Sequence, residues 1–78
     1  MREVGVMYNQ NKIIVEQGQL NFRLLINDKE SDKFKSTQGA GLLTGTLPTG
    51  ECVTAFLYPS AMKQRCVIQV NGRTVTEK

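Results

Sequence analysis

The chain has 78 residues, ten Lys and Arg against seven Asp and Glu for a formal net charge of +3, no histidine and two cysteines. That length makes one small domain, 1–78, which buries only about 60% of the surface its unfolded chain exposes. The missing histidine excludes conventional Ser–His or Cys–His catalysis, and two cysteines fall short of the roughly four ligands of a structural zinc site.

Alternation of apolar and polar residues with a period of two runs through most of the chain and predicts strands. Val4, Val6 and Tyr8 share one parity, Asn9 to Lys12 is turn-like, and Ile13-Ile14-Val15 is β-branched. A first hairpin here would set Tyr8 near Ile13 and Val6 near Val15. Gln17-Gly18 ends it. Leu20, Phe22, Leu24 and Ile26 then alternate with polar residues and give the cleanest strand. The stretch from Asn27 to Lys33, NDKESDK, reads as a polar loop or tight turn, and Phe34 to Ser36 as a short extended piece.

The twelve residues from Gly39 to Gly50, GAGLLTGTLPTG, carry four glycines. A phosphate-binding loop needs a lysine after its second glycine, and a dinucleotide fingerprint needs its third glycine one position earlier than Gly45. LPTG also lacks the intervening residue of a Leu-Pro-any-Thr-Gly sorting signal. The stretch is expected to be a mobile loop, with a turn at Pro48-Thr49-Gly50. Glu51 to Tyr58 reads as a central strand, and Pro59 to Lys63 as a connection with room for one helical turn. Arg65 to Val70 is a strand with Cys66, Ile68 and Val70 inward. Asn71-Gly72 is the strongest hairpin signal, returning Arg73 to Glu77 as an edge strand with Val75 opposite Ile68.

The expected fold is all-β, a small five- to six-stranded antiparallel barrel of the OB or SH3 type, or an open sheet that dimerises through an edge. No internal repeat is visible in the sequence. Cys52 and Cys66 each sit in an apolar run and read as buried thiols, or as a cross-strand pair folded about Pro59. No segment approaches the ~18 apolar residues of a membrane span, and the first ten residues carry no secretory apolar run. The chain is therefore expected to be cytoplasmic, with reduced thiols.

Charge is unevenly spread. Basic and acidic residues cancel through Tyr58, whereas Lys63, Arg65, Arg73 and Lys78 face Glu77 alone afterwards. A basic β domain of this kind points to a non-enzymatic binding protein, first for single-stranded nucleic acid, by stacking bases on aromatics beside cations. The candidate contacts are Arg23, Lys33, Phe34, Lys35, Tyr58, Arg65 and Arg73. Phe34, set between two lysines, either stacks a base or plugs the fold. Phe22 and Phe56 are assigned to the core. The competing reading is a protein-interaction module or inhibitor that uses the Arg73–Glu77 edge and the leucines Leu25, Leu42, Leu43 and Leu57. Neither reading calls for a cofactor.

Overall fold

A computed structural model describes residues 2–18, 20–35, 40–61 and 63–78. It is all-β, with eight strands: β1 (Arg2–Tyr8), β2 (Asn11–Gln17), β3 (Asn21–Ile26), β4 (Lys29–Lys35), β5 (Gly41–Thr46), β6 (Cys52–Pro59), β7 (Gln64–Val70) and β8 (Arg73–Glu77). They form two four-stranded antiparallel sheets in simple sequential order, β1 to β4 and β5 to β8. The expected five- or six-stranded barrel becomes two such sheets packed face to face.

Local turn chemistry explains the extra strands. Asn9-Gln10 (φ 47° and 67°), Asn27-Asp28 (52° and 69°) and Asn71-Gly72 (51° and 82°) are two-residue turns with both residues left-handed, the twist that matches a hairpin. All three stretches are turn-like in the sequence, but only Asn71-Gly72 carries the glycine that marks this turn type and so its register. Because Asn27-Asp28 closes so tightly, NDKESDK is not a loop: Lys29 onward is β4. Asn9-Gln10 shifts the first hairpin by two, so Val6 lies opposite Ile13 and Val4 opposite Val15. The Gly/Thr stretch is likewise no loop, since Gly41–Thr46 is β5; Gly39 and Ser36 lie outside the described residues. The turn at Pro48 to Gly50 is present, with Gly50 N–H donating to Leu47 O at 2.8 Å. The β6–β7 connection closes through Ser60 N–H to Lys63 O, 2.8 Å, and its described residues are not helical; Met62 lies outside them.

The core comprises Val4, Ile13, Val15, Phe22, Leu24 and Ile26 from one sheet and Leu43, Leu47, Val53, Ala55, Leu57, Cys66, Ile68 and Val70 from the other. Leu43 and Leu57, expected on the surface, are therefore core, and Leu25 is half-buried. Phe56, expected in the core, is exposed, as is Leu20. Cys66 lies opposite Leu57, far along the strand pair from Cys52. Both are free, Cys52 exposed and Cys66 buried.

The two sheets are copies of one plan. The row Val4–Val15–Leu24–Asp32 corresponds to Leu43–Ala55–Ile68–Thr76, and Ile13–Ile26 to Val53–Val70. Each last hairpin carries a bulge in the same place: Ser31 is the extra residue in β4, and Val75 in β8. Val75 is thus not opposite Ile68, which pairs with Thr76. Each sheet is also clamped by an asparagine at the last turn. Asn27 Oδ1 accepts Lys12 N–H at 2.8 Å, and Asn71 Oδ1 accepts Cys52 N–H at 3.0 Å.

β4 and β5 meet by side chains instead of a ladder. Asp32 Oδ2 accepts Thr44 N–H at 2.9 Å. The strands approach so closely that a Cβ at Gly41 would strike the Phe34 ring, and one at Gly45 would strike Ser31 Oγ and Ile26 Cδ1. Gly41 and Gly45 are spacers at this seam. Gly41→Ala is expected to cost roughly 1–3 kcal/mol by overpacking, read from urea melts. The cost should shrink in a Phe34→Ala background, because the two positions touch.

Candidate nucleic-acid interface

The expected contact residues separate into groups. Arg23, Lys33, Phe34 and Lys35 come together on the β3–β4 hairpin, where with Asn21, Phe22 and Glu30 they line a hollow of about 440 Å³. Arg23 is held there between two acids: its Nε donates to Glu16 Oε1, and Nη1 lies 3.6 Å from Glu30 Oε1. The Arg23 hydrogen bond holds the Glu16 carboxyl below its ordinary range, and the same bond raises Arg23. Lys33 Nζ lies 4.0 Å from Glu30. Phe34 is half-buried, its ring stacked on Phe22 with centroids 5.0 Å apart and planes at 20°, and it covers Gly41. In this structure the ring plugs the seam, and the hollow's charges largely answer one another.

Tyr58 and Arg65 lie on the other sheet, opposite each other across β6 and β7. Tyr58 OH donates to Glu77 Oε2 at 3.3 Å, and Arg65 Nη2 is 3.7 Å from the same oxygen. Arg73 follows the Asn71-Gly72 turn at the opposite end of that sheet. The five cations expected to form one basic surface do not do so.

The residue the sequence reading missed is Phe56. In ECVTAFLY both parities are apolar, so periodicity alone does not decide which face is buried. Register settles it: Val53, Ala55 and Leu57 face the core, whereas Thr54, Phe56 and Tyr58 face outward. Phe56 sits between Leu42 and Val67 in a cross-strand row, with Leu42 51% and Phe56 39% exposed. Next to it runs a polar row, Thr44–Thr54–Gln69–Thr74, in which Gln69 Nε2 donates to Thr74 Oγ1 at 3.3 Å.

The repeat supplies an internal control for this row. In the first sheet the same positions are Glu3, Glu16 and Arg23, all charged. The fold therefore tolerates a charged ladder there and does not require Leu42, Phe56 and Val67. The apolar stripe thus sets the outer face of the second sheet apart from that of the first.

Strand ends at one end of the molecule also gather charge. Arg2, Lys35, Lys63, Arg65 and Lys78 lie there, as the registers and the Arg2 Nη1 to Gln64 O bond of 2.7 Å establish. Burial pushes the Cys66 thiol up to about 11. Among the described residues no group of three or more Cys, Asp or Glu could hold a metal ion, and no helix is long and apolar enough to cross a membrane.

No protein-family model matches the chain, and no curated protein or solved structure matches it. Any functional reading therefore stands on the chain's own geometry.

Phe34→Ala is expected to lower unfolding free energy by roughly 2–4 kcal/mol, because it empties a stacked, half-buried site. Phe56→Ala should cost about 1 kcal/mol or less. Paired denaturant melts of the two variants check the difference.

Proposed function

We propose that this is a non-enzymatic protein that binds single-stranded nucleic acid across the outer face of the β5–β8 sheet. The observation that carries the reading is the exposed pair Phe56 and Tyr58 on the central strand β6, on a stripe the fold does not require and beside Arg65. Side chains two apart on a strand share a face and stand about 7 Å from one another. Aromatics displayed so on an open sheet can each take one unstacked base. Arg65, Lys63 and Lys35 at the cationic end supply phosphate contacts, and the threonine row offers hydroxyls to bases or sugars. Of the earlier candidates, Tyr58, Arg65 and Lys35 stay in this proposal. Phe34 supports the seam, Arg23 and Lys33 are engaged with Glu16 and Glu30, and Arg73 is at the far end.

One observation favours a second reading. Leu42 and Val67 flank Phe56, and an aliphatic stripe suits a protein partner as well. Salt separates the two, because phosphate contacts release counterions whereas an apolar contact is nearly salt-blind.

The test is fluorescence anisotropy of labelled oligo-dT, with a duplex control, at two salt concentrations. Salt-sensitive binding that favours the single strand is expected, with Phe56→Ala and Tyr58→Ala each losing about 1–3 kcal/mol. Absence of binding at low salt, or full affinity in both variants, would overturn the proposal.

A further inference from the structure

The two seams of the repeat are finished in opposite ways. Where β4 meets β5, the end positions are Phe22, Phe34, Gly41 and Leu57: two stacked rings, a spacer and an aliphatic, none with a polar side chain. The corresponding positions where β8 meets β1 are Cys66, Lys78, Arg2 and Gln17. Lys78 takes the Phe34 place by its backbone, which exchanges both hydrogen bonds with Cys66, at 2.8 and 2.9 Å.

This second mouth contains a cost the fold does not demand. Gln17 is only 5% exposed, and its Nε2 has no nitrogen or oxygen hydrogen-bond partner among the described residues; it faces the Cys66 sulfur, a weak acceptor. Leaving a buried amide donor without an oxygen or nitrogen acceptor is destabilising, and Leu57 shows that an aliphatic residue fits the equivalent place. Arg2 pairs with Gln17 in register. Its guanidinium, a fork of five donors, spends one of them on Gln64 O at 2.7 Å. Both Arg2 and the Gln17 amide bear on the Cys66 thiol, so the three side chains converge. That thiol stays protonated until about 11 because it is buried, and it cancels no positive charge. Glu3, Glu16 and Glu77 occupy the alternate positions of their strands, whose side chains point to the outer faces, and the Lys78 carboxyl oxygen is taken up by Cys66 N–H at 2.8 Å.

We propose that this mouth is an oxyanion site, in which the Gln17 amide and the Arg2 guanidinium, with Lys78 at the rim, take a phosphate group. A guanidinium fork and an amide donor match phosphate oxygens in geometry and charge. The phosphate is either free or the terminal phosphate of a bound strand; only the second source rests on the nucleic-acid reading.

The experiment follows the Gln17 side-chain amide and Arg2 guanidinium signals by nitrogen-15 NMR. Inorganic phosphate is titrated against chloride of equal ionic strength. Saturating shifts of both groups at roughly millimolar phosphate are expected. Gln17→Leu should be as stable as the parent or more so, and should weaken phosphate binding at least about tenfold. Arg2→Met, which keeps the aliphatic stem, provides a second variant. Oligo-dT carrying a 5′- or 3′-phosphate is compared with the unphosphorylated strand. Tighter binding of one phosphorylated end, lost in Gln17→Leu, assigns the site to strand ends. Phosphate binding without that difference assigns it to free phosphate. If phosphate moves neither group and no end phosphate matters, the site is refuted, while oligo-dT binding itself would keep the nucleic-acid reading. Phosphate binding with no oligo-dT binding would do the reverse.

Discussion

Everything in this molecule depends on the burial of one sheet's apolar face against the other's. A four-stranded meander of some 35 residues has a single apolar side and cannot cover it alone. Here Val4, Val15 and Leu24 meet a second copy of the same row, Leu43, Ala55 and Ile68. Because the partner is the other half of the chain, the short domain obtains a shared core. The glycines at 41 and 45 let the halves close at one seam, where Asp32 joins them through Thr44.

Once the inner faces are committed to each other, the outer faces are free to differ, and they do. The first sheet carries a charged row, Glu3–Glu16–Arg23–Lys33, whose charges balance; its ion pairs at the surface add little stability. The second sheet carries Leu42, Phe56 and Val67 in the corresponding row. One backbone plan decorated in two ways separates what folding requires from what it does not. The two seams make the same distinction, one closed by stacked rings and the other lined by Arg2, Gln17 and Lys78.

Much of the fold was legible in the sequence, and the misses have physical causes. The all-β class, the β3 and β7 faces and the Asn71-Gly72 turn followed from period-two alternation and from glycine's freedom at positive φ. Asn9-Gln10 and Asn27-Asp28 make the same kind of turn without glycine, so the register of the first hairpin and the strand β4 after the second turn carry no comparable mark in the sequence. Gly41 and Gly45 looked like flexibility because a close approach between distant strands leaves no local mark. The repeat was hidden because the halves share inward-facing apolar positions, a bulge site and a turn asparagine, and little residue identity. Of the proposed surface, Tyr58 and Arg65 are legible as candidates from strand position and charge. Phe56 was lost because β6 is apolar on both parities, and the engagement of Arg23 by Glu16 and Glu30 depends on a strand that had been read as loop.

The central claim is that the outer face of the second sheet is the working surface. The most direct measurement is a chemical-shift map of the isotopically labelled protein titrated with short oligo-dT at low salt. The account predicts that the largest changes fall on Leu42, Phe56, Tyr58, Arg65 and Val67, with the Glu3–Glu16–Arg23 row of the first sheet little affected. Changes concentrated on that charged row and the β3–β4 hollow, or no changes at all, would contradict it.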